Sequence, residues 1–87
     1  MAAVVVKSTD MPEPMLNYCI ERAETAMLTF NTDKEVAQAL RNEFVKQYNG
    51  VWHCIVGHNF GAFTIYEQHH FVYFYKGQTA VLLFKTG

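Results

Sequence analysis

The sequence predicts an α+β fold, two helices followed by an antiparallel sheet, on three observations. Apolar residues recur at three- and four-residue spacing through the first half, the period of a helix with one buried face. β-Branched and aromatic residues crowd the second half in runs separated by short polar or glycine stretches. Those breaks are too short to hold a crossover helix, so the strands they separate run antiparallel.

Val4–Lys7 reads as an opening strand. Asp10 with Glu13 resembles a capping box, and Pro12 and Pro14 suit the first turn of a helix that runs to about Phe30. Within it Leu16, Cys19, Ile20, Ala23, Met27 and Phe30 fall on one stripe, leaving Glu21, Arg22 and Glu24 to water. Thr32 with Glu35 forms a cleaner capping box. Val36, Ala37, Leu40, Phe44 and Tyr48 mark the inner face of a second helix, and Asn49–Gly50 its left-handed stop. Val51–Val56, Phe60–Tyr66, His70–Tyr75 and Thr79–Lys85 then read as four strands, with Gly77–Gln78 as a two-residue hairpin turn. No repeat, low-complexity segment or linker divides residues 1–87, and one domain is expected.

At 87 residues the chain is near the lower end of what one hydrophobic core stabilises, yet it is 51% hydrophobic and 15% aromatic. That is more apolar side chain than so small a globule hides, so a protein–protein interface is expected. Two helices cover one face of a sheet, whereas the run Phe71–Tyr75 is large on both faces; a second copy of the chain would cover the other. A net charge of −1 with scattered Lys and Arg gives no footprint for nucleic acid or an anionic membrane. Apolar runs such as Ala80–Phe84 fall far short of the roughly 18 residues that span a bilayer. Met1–Val6 has no cationic leader and reads as the start of a strand, not a secretory signal. Two cysteines without an export signal point to reduced thiols in the cytosol.

His53, Cys54, His58, His69 and His70 are capable of binding metal, but their spacing matches none of the paired zinc patterns, so neither metal nor cofactor is expected. His53 and Cys54 are neighbours on a strand and point to opposite faces, which denies them a thiol–imidazole pair. Cys19, on the apolar helix stripe, reads as an inert buried thiol. Ser8 is the one serine and there is no glycine-rich phosphate loop, so no catalytic residue is assigned and no enzyme is expected. Asn59–Phe60–Gly61 is either a simple turn or the start of a strand whose open edge lets another backbone approach.

Several longer stretches carry a family likeness: Trp52 to Gly57, Asn59–Phe60–Gly61, His70–Phe71, Tyr73 to Gln78 and Leu82 to Gly87. With Asp10–Met11, Asn31, Lys34, Glu43–Phe44 and Tyr48–Asn49 they run in order through nearly the whole chain, and together they resemble the eight-kilodalton dynein light chain family. The resemblance implies a homodimer in which Phe60–Tyr66 leaves its own sheet to complete the partner's. It also implies two parallel grooves, each taking a short disordered segment of a client as an added strand. Groove residues implied by position are Asn59, Phe60, Gly61, Ala62, Phe63, Thr64, Ile65, Tyr66, Tyr73 and Tyr75, with Asp33 and Lys34 at the start of the second helix and Asp10 at one end. The dimer contact implied is His53, Gly57, Phe60, Phe63 and Thr86. Protonation of His53 would oppose that contact, and Thr86 stands where the family often carries a phosphorylated serine. Implied partners are dynein intermediate or heavy chains and other clients, in the cytoplasm on the microtubule cytoskeleton or in the ciliary axoneme. The alternatives kept open are a general dimerisation hub for non-motor proteins and a zinc- or thiol-dependent enzyme. Where the family commonly reads Asn-Phe-Gly-Ser-Tyr-Val-Thr-His-Glu, this chain has Ala62, Phe63, Thr64, Ile65 and Tyr66 within the same frame, which favours a more apolar client than the usual Thr-Gln-Thr type.

Overall fold

Six elements follow one another: β1 (Val4–Thr9), α1 (Glu13–Thr29), α2 (Asp33–Tyr48), β2 (Val51–Gly57), β3 (His69–Lys76) and β4 (Thr79–Thr86). They belong to a computed structural model that describes residues 3–58 and 69–86. The strand expected at Phe60–Tyr66 lies outside the described residues.

Thr32 caps α2 as its sequence requires: the Glu35 N–H donates to the Thr32 hydroxyl at 3.2 Å, and that hydroxyl donates to the Glu35 carboxylate at 2.9 Å. The helix closes on Asn49 with φ 59° and Gly50 with φ 91°, the expected left-handed stop. The start of α1 differs from expectation. Its N-cap is Pro12, no side chain caps it, and proline in the first turn sets the backbone instead. Asp10 is engaged elsewhere, because its Oδ1 accepts the Phe71 N–H at 2.7 Å while its own N–H donates to the Phe71 carbonyl at 3.2 Å. Thr9 adds a hydroxyl donating to the same carbonyl at 2.8 Å. A charged acceptor is drawn to a strand N–H that would otherwise lack a partner beside the irregular start of β3.

The four strands are all antiparallel in the order β1-β3-β4-β2. The β2–β4 ladder is unbroken from Val51↔Thr86 to Gly57↔Ala80. The β3–β4 register shifts between His69 and Val72, where His70 takes φ 51°. Gly77, φ 62°, turns β3 into β4 as expected for a hairpin with glycine first.

One sheet face meets the helices. Trp52, Val72, Phe74, Val81 and Leu83 join Met11, Cys19, Ala23, Leu40 and Phe44 in a single core. Phe44 is its hub, with ring centroids 4.8 Å from Trp52, 5.2 Å from Tyr48 and 5.6 Å from Tyr18. The polar side of α1 is less solvated than its spacing suggests. Glu24 is half-buried and its carboxylate pairs with the Lys76 ammonium at 2.7 Å, tying α1 to β3. Arg22 is also half-buried, with its guanidinium 5.9 Å from the Tyr18 ring centroid. Among the described residues no helix is long and apolar enough to cross a membrane.

Gly50 has a packing role besides its backbone one. A Cβ added there would lie 2.6 Å from Cε of Lys85, whose side chain crosses directly over it. Gly50→Ala is therefore expected to lose about 1–2 kcal/mol from the left-handed backbone alone. Gly50→Ala with Lys85→Ala relieves the clash but not the backbone cost, and urea titration of both variants separates the two terms.

Candidate functional site

β2 forms one border of the sheet, and among the described residues only β4 pairs with it. Trp52 buries its side chain and donates its indole N–H to the Asn49 carbonyl at 2.7 Å. The Trp52 carbonyl is turned the other way, to the border, and accepts from Arg41 Nε on α2 at 3.0 Å. A strand residue points both its backbone groups to one side and successive residues alternate. Trp52, Cys54 and Val56 therefore direct N–H and C=O outward, while Val51, His53, Ile55 and Gly57 exchange bonds with β4.

The sheet face away from the helices carries the second cluster. Val51 is 54% and Ile55 41% exposed there. Between them His53 stacks on its cross-strand neighbour Phe84, ring centroids 5.1 Å apart, and its Nε2 lies 3.0 Å from the Thr86 hydroxyl. On β3 of the same face the Tyr73 and Tyr75 hydroxyls share a 3.0 Å hydrogen bond. That bond, followed by desolvation, raises the Tyr73 pKa. The Lys7 ammonium sits 5.8 Å from the Tyr75 ring centroid. A shallow depression of about 330 Å³ opens between Val5, Lys7, Tyr75 and Gly77.

At the start of α2, Asp33 and Lys34 are the first two residues of the helix, whose leading N–H groups have no intrahelical acceptor. The Asp33 carboxylate lies 3.7 Å from Nδ1 of His58, just beyond β2. Beside it a second depression of about 310 Å³ is lined by apolar Phe30, Val36 and Val56 and by polar Thr32, Asp33 and Lys76.

The residues implied for the site thus fall into separate places. His53 and Thr86 are brought together, as are Tyr73 and Tyr75; Asp33 and Lys34 form the helix start, and Gly57 ends β2 opposite Ala80. Asp10 spends one carboxylate oxygen on Phe71 at the β1–β3 border. Asn59, Phe60, Gly61, Ala62, Phe63, Thr64, Ile65 and Tyr66 lie outside the described residues. Four participants were not anticipated: Phe84 beneath His53, His58 beside Asp33, Lys7 over Tyr75 and Arg41 on Trp52. Phe84 was readable, since it lies two residues before Thr86 and so shares its face.

Neither cysteine is poised as a nucleophile. Burial pushes the Cys54 thiol up to about 12 and raises Cys19 further, with the nearby Cys54 adding to the shift. Among the described residues no three His, Cys, Asp or Glu side chains lie close enough to hold a metal ion. Both thiols are held neutral in the folded chain but ionise in the unfolded chain above about pH 9, so stability is full below that pH and falls as pH rises toward 12. The expected loss is at most about 1.4 kcal/mol per pH unit for each thiol. Cys54→Ala should reduce that slope by about half in alkaline urea titrations.

Among the described residues, two helices lie on one face of a four-stranded antiparallel sheet whose border strand β2 pairs with a strand on one side only, and this defines a small α+β domain. A sequence model described as Dynein light chain type 1 matches residues 3–86, and the chain belongs to the dynein light chain family. Solved structures agree on the fold. The dynein light chain-like domain of the Fasciola hepatica calcium binding protein FhCaBP2 superposes with a TM-score of 0.85 at 22% identity, covering 99% of this chain and 93% of that one. The DLC like domain of CsTAL3 gives a TM-score of 0.76 at 18% identity, over 95% and 92% of the respective chains.

Proposed function

We propose that this chain is a non-catalytic light chain of a dynein motor, a homodimer that holds short extended segments of dynein intermediate or heavy chains. In this reading the segment 60–66 of each copy pairs with the β2 border of the other. The groove so formed is lined by Tyr73, Tyr75 and the residues from Asn59 to Tyr66, with Asp33, Lys34 and Asp10 at its ends; His53, Gly57, Phe60, Phe63 and Thr86 form the dimer contact. The observation that supports it best is the outward-facing backbone of Cys54 and Val56, flanked on the outer face by exposed Val51 and Ile55. Backbone groups and apolar side chains left side by side are what strand addition consumes. Such a subunit works in the cytoplasm on microtubules or in a ciliary axoneme, and a phosphate on Thr86 would break its bond to His53 and weaken the dimer.

Light scattering on the purified chain, joined to purification of the native complex with identification of the co-eluting chains, tests the reading. A dimer that co-elutes with dynein chains is expected. A chain that stays single at high concentration overturns it, and a dimer that co-elutes only with non-motor proteins replaces the motor role with that of a general hub.

A further inference from the structure

We propose that Arg41 ends strand addition on β2. The inference rests on the reading that a second copy pairs along this border, and it assigns a residue that sets how far the pairing runs. Arg41 is exposed on α2, yet its Nε donates to the Trp52 carbonyl at 3.0 Å and its terminal nitrogen to Asn42 Oδ1 at 3.3 Å. The guanidinium thus lies against the first of the three outward-facing residues of β2, where an incoming backbone would have to place its own N–H. A guanidinium bond to a carbonyl is charge-assisted and stronger than the neutral backbone bond that would replace it. Displacing it in favour of an ordinary ladder bond is unfavourable.

The added strand is therefore held by Cys54 and Val56 and stops short of Trp52. The same contact acts before association. Among the described residues no strand covers this border, and such a border carrying exposed Val51 and Ile55 is a template for slipped or repeated pairing. Closing one end of it leaves a short window with one favourable register. Sequence spacing offers no hint of this contact, because it joins a solvated helix position to a main-chain atom of another element.

Amide hydrogen exchange followed by NMR on the full chain, at a concentration where it is dimeric, tests the assignment. In the wild type the Cys54 and Val56 amides should exchange at least ~100-fold more slowly than that of Trp52. Arg41→Ala and Arg41→Met, the second keeping the apolar stem, should each slow the Trp52 amide at least ~10-fold while the dimer persists, as pairing runs on to the next outward-facing residue. A Trp52 amide as slow as that of Cys54 in the wild type, or unchanged in both variants, overturns the role of Arg41 and leaves the dimer standing. A chain that never dimerises removes both.

Discussion

Phe44→Ala is expected to cost about 3–5 kcal/mol, a large fraction of the roughly 5–15 kcal/mol that holds a domain folded. Phe44 is fully buried and its ring touches Tyr18 on α1, Tyr48 on α2 and Trp52 on β2. Removing it opens a cavity at the junction of both helices with the sheet, where no single element can move in without losing its other contacts. Trp52 is the only tryptophan and packs edge-on against Phe44, so urea titration read by its fluorescence follows the loss directly. Leu28→Ala is the control. Leu28 is 89% exposed and its truncation should stay within about 0.5 kcal/mol of the wild type.

The second large effect concerns association. His53→Lys should leave the fold intact and raise the dimer dissociation constant at least ~100-fold, about 2.7 kcal/mol, at neutral pH. His53 is exposed in the single chain, stacked on Phe84 and bonded to Thr86. In the proposed dimer it is covered, and a permanent ammonium there loses its water without gaining a carboxylate; the acidic group described at the end of this border, Asp33, stands on α2 beside His58. Sedimentation of the variant should show single chains with unchanged circular dichroism. Dimers at micromolar concentration would remove His53 from the contact.

What could be read ahead of the structure follows the range of the interactions involved. The second helix was legible end to end, because Thr32 with Glu35 and Asn49 with Gly50 act within a single turn. The same argument failed at Asp10. Its residue type suits a cap, but its carboxylate answers a strand N–H 61 positions away, and prolines had already fixed the start of the helix. Glu24 and Arg22 stood on the polar side by spacing, and only the course of β3 and the position of the Tyr18 ring show why both are half-buried. The opposite facing of His53 and Cys54 was legible because strand alternation is local; that His53 would find Phe84 and Thr86 depended on the β2–β4 register. Most misses join residues far apart in the chain, where periodicity carries no information; Arg22 over Tyr18, four residues apart on α1, is the exception and was open to helical spacing.

The strand order bears on how the chain is made. Among the described elements β4 is the last to emerge from the ribosome, yet it lies between β3 and β2. Among the described residues β2 gains a strand neighbour only when β4 arrives, and β1 must wait for β3, which comes sixty or more residues later. The helices can pair early on the strength of local contacts, but the described sheet closes in one late step, once β4 is free. Nascent chains halted before residue 79 should therefore expose the apolar side of α1 and α2 and depend on chaperones, whereas those released beyond residue 86 should reach the compact state without them.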